Sequence, residues 1–169
     1  MSRQAGLTSL PVVEVTHLFQ FSAAHRMHSE RFSPEENARI YGRCNNVSGH
    51  GHTYRLQVTI HGPVAPETGT IETRARLDAL IRGGVIERFD RADLNLLIPP
   101  RYGPTSTTEA LAFCLWEVLD DLLPSGCLWR LRVEETPNNF FELDRAGVNR
   151  SAGAGLRPPS ERGRKASKG

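Results

Sequence analysis

Apolar and polar positions alternate from Val13 to His25, with Val13, Val15, His17, Phe19, Phe21, Ala23 and His25 on one parity. This period of two predicts a half-buried strand that carries His25 at its end. A polar stretch follows from Arg26 to Gly49, with Ser33-Pro-Glu-Glu36 and Asn45-Asn46 inside it. Its composition suits a loop containing one short helical turn. Alternation then resumes, and Leu56, Val58 and Ile60 share the parity of His50, His52 and Tyr54. The two runs are expected to pair as a hairpin with a long, functional loop.

Beyond the hairpin the period lengthens. Leu77, Leu80, Ile81, Val85, Ile86 and Phe89 recur at three and four positions, predicting a helix over 74–89 with one apolar face. Gly83-Gly84 weakens it by about 1 kcal/mol per glycine. Leu111, Cys114, Leu115, Val118 and Leu122 predict a second helix over 108–123, with Ser106-Thr-Thr-Glu109 matching a capping box and Pro124 stopping it. Trp129, Leu131, Val133 and Glu135 share the parity of a last strand, which turns at Thr136-Pro-Asn-Asn139 so that Phe140 to Leu143 return beside it. The order β-β-α-α-β-β argues for an α+β fold, an antiparallel four-stranded sheet with two helices on one face.

With 169 residues, 38% hydrophobic and 24% charged, the chain fits a single domain with one core. No apolar run approaches the roughly 20 residues of a membrane span, and Met1 to Leu10 lacks a basic-then-apolar leader pattern. Cys44, Cys114 and Cys127 are odd in number and form no C-x-x-C pair, which argues against a disulfide framework. A cytoplasmic protein is expected. The net charge of +2 arises from a basic end: seven Arg and Lys against Glu161 lie from Arg145 to Gly169, so the rest is net acidic and no nucleic-acid surface is expected. The Gly, Ser and Pro content of that end offers little apolar burial. The expected organisation is a flexible N-terminus over 1–11, a domain over 12–144 and a disordered basic tail over 145–169.

The residues able to carry chemistry cluster around the hairpin. His50-Gly-His52 places two imidazoles on one strand face, and His25 ends the preceding strand on its apolar parity. Pairing of the strands could close a three-histidine site with an open position, the catalytic zinc pattern; separate hydrogen-bonded histidines are the alternative. Cys44, beside Arg43 and close before these histidines, is expected to favour its thiolate. Cys114 reads as core, and Cys127 as packing. Glu135 would point inward and needs a partner, such as the amino-pyrimidinone edge of a pterin, an arginine or backbone N–H groups. Capping accounts for Glu109, and a cap or surface ion pair for Asp90.

In combination, Phe21-Ser-Ala-Ala-His25-Arg, Tyr41-Gly-Arg-Cys44-Asn-Asn-Val-Ser-Gly-His50-Gly-His52-Thr-Tyr54, Ser106-Thr-Thr-Glu109 and Val133-Glu-Glu135-Thr resemble the 6-pyruvoyltetrahydropterin synthase family over roughly 12–144. The long Cys-Asn-Asn segment is more similar to the pyruvoyl branch than to the 6-carboxytetrahydropterin synthases of queuosine biosynthesis. The resemblance implies a tunnelling fold whose trimers close their sheets into a barrel and stack as a homohexamer, with active sites between subunits. It implies zinc on His25, His50 and His52, Cys44 as proton-abstracting group, and Glu135 as anchor of the pterin ring. It further implies that Thr107, Thr108 and Glu109 line the pterin pocket and that Asp90 is the acid of a proton-relay pair. The implied reaction eliminates triphosphate from 7,8-dihydroneopterin triphosphate to give 6-pyruvoyltetrahydropterin, without nicotinamide or flavin.

The chain departs from the pattern at Arg91, where the family has the relay histidine, and at Ile71-Glu-Thr73, where many relatives carry an aspartate. A guanidinium stays protonated and cannot accept and return a proton. The alternatives are therefore a 6-carboxytetrahydropterin synthase, a catalytically weakened zinc- and pterin-binding protein, and a three-histidine zinc hydrolase that would not require Cys44.

Overall fold

The computed structural model describes residues 11–71 and 74–153. The N-terminus expected to be flexible, apart from Pro11, and the tail after Gly153 lie outside the described residues. The first two runs form the strands β1 (Val12–His25) and β2 (His50–Pro63). They pair antiparallel without interruption, so that Phe21 faces Tyr54, Ala23 faces His52 and His25 faces His50. Between them α1 (Pro34–Tyr41) begins with a complete capping box of Ser33 and Glu36, and a 3-10 turn over Gly42–Asn45 carries Cys44.

After β2 the chain makes α2 (Arg74–Ile81), a wide π turn over Arg82–Ile86 and α3 (Glu87–Phe89), all within the expected helix. The π turn contains both Gly83 and Gly84. A Cβ at Gly84 would run into the Leu122 side chain, so the missing side chain permits the close approach of α2's continuation to the next long helix. Next come β3 (Ala92–Asp93), α4 (Leu94–Leu97), α5 (Thr108–Leu122), β4 (Leu128–Thr136), β5 (Asn139–Asp144) and α6 (Arg145–Gly153).

Five strands, in the order β3-β1-β2-β4-β5, replace the expected four. The added strand has two residues, pairs Ala92 with Ala23 and Asp93 with Ala24, and runs parallel to β1. Two residues carry no readable period, and only tertiary pairing makes them a strand. A second difference is α6, which lies where the tail was expected to begin. Arg145 donates to the carbonyl of Leu128 at 3.0 Å, pairs with Asp120 through two nitrogens and stacks over Trp116. These long-range partners hold Arg145, the first residue of α6, and composition does not report them.

The helices cover one sheet face. Phe19, Phe21, Leu56, Val58, Ile60, Leu131 and Val133 pack there with Leu77, Ile81, Phe89, Leu111, Leu115 and Leu119. Fully burying each Leu, Ile, Val or Phe stabilises the fold by roughly 1.5–3 kcal/mol relative to leaving it exposed. The opposite face is polar, with Arg55 paired to Glu134 at 3.0 Å and Arg130 to Glu14 at 3.5 Å. His25, His50, His52 and Tyr54 continue the helix-covered face toward one end of the hairpin, so the candidate site sits at the end of the core.

Candidate metal and substrate site

Strand register sets the imidazoles. Alternation puts His25, His50 and His52 on one face, and the antiparallel pairing makes His25 and His50 direct partners. Their Nε2 atoms lie 3.1 Å apart, and the ring centroids of His50 and His52 are separated by 4.7 Å. Gly49 shapes the entry to β2: its φ is +67°, and a Cβ there would stand 2.9 Å from the carbonyl oxygen of His25.

The ligating atoms form two overlapping groups that share His25. Those of His25, Cys44 and His50 all lie within 4.8 Å of one another, as do those of His25, His52 and Glu135. The Oε1 of Glu135 is 3.7 Å from the Nε2 of both His25 and His52. Five of the residues singled out in the sequence thus gather around His25.

The chemistry of this donor set fits a cation. His25 is buried, and its Nδ1 lies 2.8 Å from the carbonyl oxygen of Ser106. A carbonyl only accepts, so Nδ1 carries the hydrogen and Nε2 presents a lone pair to the cluster. His50 Nδ1 and His52 Nε2 are buried without a hydrogen-bond partner. Burial, followed by the neighbouring imidazoles, lowers the pKa of His50 and favours its neutral, ligating form.

The surroundings correct the expectation for Cys44. Its thiol pKa is raised, first by burial and then by the Glu135 carboxylate, so the thiolate is disfavoured in the protein by itself despite Arg43 next in sequence. Met27 donates its backbone N–H to the Cys44 carbonyl at 2.7 Å, which ties the Cys44 turn to the chain leaving β1.

Glu135 does turn inward. Its Oε2 accepts from Asn139 Nδ2 at 2.7 Å, and its Oε1 lies 3.5 Å from the Tyr54 hydroxyl. Burial and the nearby Glu135 charge raise the Tyr54 pKa and keep that hydroxyl a donor. Neither Tyr54 nor Asn139 was singled out by sequence; Tyr54 shares the parity of the histidines, and Asn139 closes the β4–β5 turn beside Glu135.

At the start of α5 the expected capping box is corrected by one position. Thr107 is the N-cap and its side chain accepts from Ala110 N at 3.2 Å, which leaves Glu109 exposed and outside any box. With Thr107 as the cap, the helical hydrogen bonds begin at the Thr107 carbonyl, which accepts from Leu111 N, and the Ser106 carbonyl is left for His25. Thr108 is buried, as are Thr105 and Ser106, whose hydroxyls lack partners.

Asp90 is not brought to the cluster. Its Oδ1 accepts the backbone N–H of Ser22 at 2.8 Å, while Arg91 donates its own N–H to the Ser22 carbonyl. Together they extend the edge of β1. Arg91 adopts a φ of +59°, and its exposed guanidinium lies 3.5 Å from Asp90. No hydrogen bond or ion pair among the described residues joins either residue to Cys44 or the imidazoles.

The family model described as 6-pyruvoyl tetrahydropterin synthase matches residues 14–146. Human 6-pyruvoyl tetrahydrobiopterin synthase is 38% identical over 127 residues, covering 75% of this chain and 88% of the human one. The 6-carboxy-5,6,7,8-tetrahydropterin synthase of Bacillus subtilis is 26% identical over 144 residues, covering 80% and 94%. The solved structure of Caenorhabditis elegans 6-pyruvoyl tetrahydropterin synthase superposes with a TM-score of 0.73 at 34% identity, over 80% of this chain and 97% of that one.

Proposed function

The chain belongs to the 6-pyruvoyl tetrahydropterin synthase family, and from that premise we propose that it is a lyase converting 7,8-dihydroneopterin triphosphate to 6-pyruvoyltetrahydropterin with release of triphosphate. The observation that carries this reading is the convergence of His25, His50 and His52 with Cys44 and Glu135.

His25, His50 and His52 would hold zinc, with the Ser106 carbonyl orienting His25. Zinc bound there supplies a Lewis acid that makes the adjacent C–H and O–H bonds of the substrate side chain more acidic. Glu135, oriented by Asn139 and Tyr54, receives the guanidine-like N–H pair of the pterin ring on its two oxygens. Cys44 would act as its thiolate, a form that a cation held at the neighbouring imidazoles would favour against the burial and the Glu135 charge that raise its pKa. The thiolate takes a proton from the side-chain carbon and returns it during the internal redox tautomerisation. Thr107, Thr108 and Glu109 line the pterin pocket from the start of α5. Asp90 joins the catalytic set only through assembly, in a homohexamer whose sites lie between subunits. Among the described residues no helix is long and apolar enough to cross a membrane, in keeping with a cytoplasmic enzyme.

A second product, 6-carboxytetrahydropterin from the same substrate, is kept open by the 26% identity to the Bacillus subtilis synthase and by Arg91, which cannot relay a proton. Zinc-loaded protein incubated with 7,8-dihydroneopterin triphosphate, with Arg91→His alongside, separates the readings by mass spectrometry. The expected result is triphosphate together with the 6-pyruvoyl product. A 6-carboxy product would move the chain to the second reading, and pterin binding without triphosphate release would make it a binding protein.

A further inference from the structure

The triphosphate of the proposed substrate needs cations, and the loop that carries Cys44 is rich in them. Between β1 and β2 lie four arginines, Arg26, Arg31, Arg39 and Arg43, against Glu30, Glu35 and Glu36. The acids are engaged away from Cys44. Glu30 lies 3.4 Å from His28, Glu36 accepts from the Ser33 N–H at 2.8 Å, and backbone and Ser33 hydrogen bonds lower the pKa of Glu35 at the start of α1. The far end of α1 is basic: Arg39 lies in its last turn, and Arg43 precedes Cys44 in the turn that follows.

Both side chains are exposed, and among the described residues neither makes an ion pair or a side-chain hydrogen bond. A cation in the last turn complements the helix dipole, which gives Arg39 an ordinary role but leaves Arg43, beyond the helix end, without one. Gly42, at a φ of +51°, redirects the chain between them.

Of the other guanidinium groups of the loop and its surroundings, Arg31 precedes α1, at the end of that helix away from the Cys44 turn. Arg26 reaches the Asn45 carbonyl at 3.4 Å and His28 at 3.3 Å, and Arg101 is bonded to Glu117 and Tyr102. Arg91 is paired with Asp90 at 3.5 Å and lines a shallow recess with Ser22, Ala24, Gly51 and Thr53, exposed positions of the sheet face opposite the imidazoles, and with His52.

We propose that Arg39 and Arg43 form the polyphosphate subsite, binding the triphosphate that the substrate carries beyond the carbons handled at Cys44. This rests on the lyase reading and deepens it. The triphosphate hangs from the third side-chain carbon, close to the carbons presented to Cys44, and Arg43 is the neighbour of Cys44 in the chain. Guanidinium forks match phosphate oxygens bidentately and keep their charge at any working pH. The subsite selects a substrate that still bears its polyphosphate over the dephosphorylated pterin.

The test uses the full-length, zinc-loaded chain carrying Cys44→Ala, so that ligand binding is measured without turnover. Dissociation constants are compared for 7,8-dihydroneopterin triphosphate and for 7,8-dihydroneopterin. Arg43→Gln is expected to weaken the triphosphate form on the order of tenfold, and Arg39→Gln with Arg43→Gln further, while the dephosphorylated ligand changes less than about twofold. Arg43→Lys restores part of the loss, and the preference shrinks as salt rises. The proposal is overturned by equal weakening of both ligands, by no weakening, by no preference for the triphosphate form before the arginine changes, or by a loss that follows Arg91→Gln instead. Triphosphate release by the chain with Cys44 intact is scored separately, so failure of the lyase reading is distinguishable from failure of the subsite.

Discussion

The Nδ1 of His25 and the carbonyl oxygen of Ser106 lie 2.8 Å apart across 81 positions of sequence. This bond joins the end of β1 to the residue that precedes the cap of α5, and it decides which ring nitrogen of His25 faces the cluster. An imidazole oriented from behind in this way depends on a helix terminus staying in place.

Thr107→Val keeps the shape of the N-cap residue but removes its acceptor for Ala110 N. A loss of about 1 kcal/mol is expected, or about 2–4 °C in Tm for a domain of this size. Zinc affinity should fall with it, because the Ser106 carbonyl loses its fixed position. Calorimetric unfolding and a zinc titration on the same samples check both.

Gly49→Ala puts a Cβ at positive φ and within 2.9 Å of the His25 carbonyl oxygen. The expected cost is about 1–3 kcal/mol, measured as a lower urea midpoint at unchanged slope. Unaltered stability would show that the loop entering β2 is free to move.

Zinc is expected to raise Tm, since a ligand held only by the folded chain stabilises it by about 2.7 kcal/mol at a hundredfold excess over Kd. A chelator reverses the shift. His52→Ala should abolish it, whereas Cys44→Ala should retain it and lose turnover. A shift that vanished with Cys44→Ala would make the thiol a ligand.

In the chelator-treated protein, burial and Glu135 both raise the Cys44 pKa. Glu135→Gln removes the second cause, so the pKa moves down toward its ordinary value, though not all the way. At a fixed pH below that pKa the thiolate fraction then rises, and alkylation of Cys44 by iodoacetamide should accelerate. An unchanged rate against pH would place the carboxylate too far away to act on the thiol.

The β1–β2 hairpin was readable from parity alone, because a strand's period of two decides which residues share a face. His25, His50, His52 and Tyr54 could therefore be grouped before any contact was known. Glu135 was legible for the same reason on β4. The helix starts one residue later than a Ser106–Glu109 box predicts, because Ser106 and Thr107 are both good cap formers, and only with Thr107 as the cap is the Ser106 carbonyl outside the helical hydrogen bonds and available to His25. The two-residue β3 and the Arg145–Asp120 pair depend on partners far along the chain, which no local pattern reports.

What the sequence by itself determined is which side chains stand together along each element, since the local periods of strand and helix follow from backbone geometry. Tertiary structure alone decided their surroundings: that Glu135 approaches the imidazoles, that Cys44 is held as a thiol by burial and by that carboxylate, and that Asp90 serves the edge of β1. Solvation and electrostatics act through distance in space, and only the packed chain sets those distances.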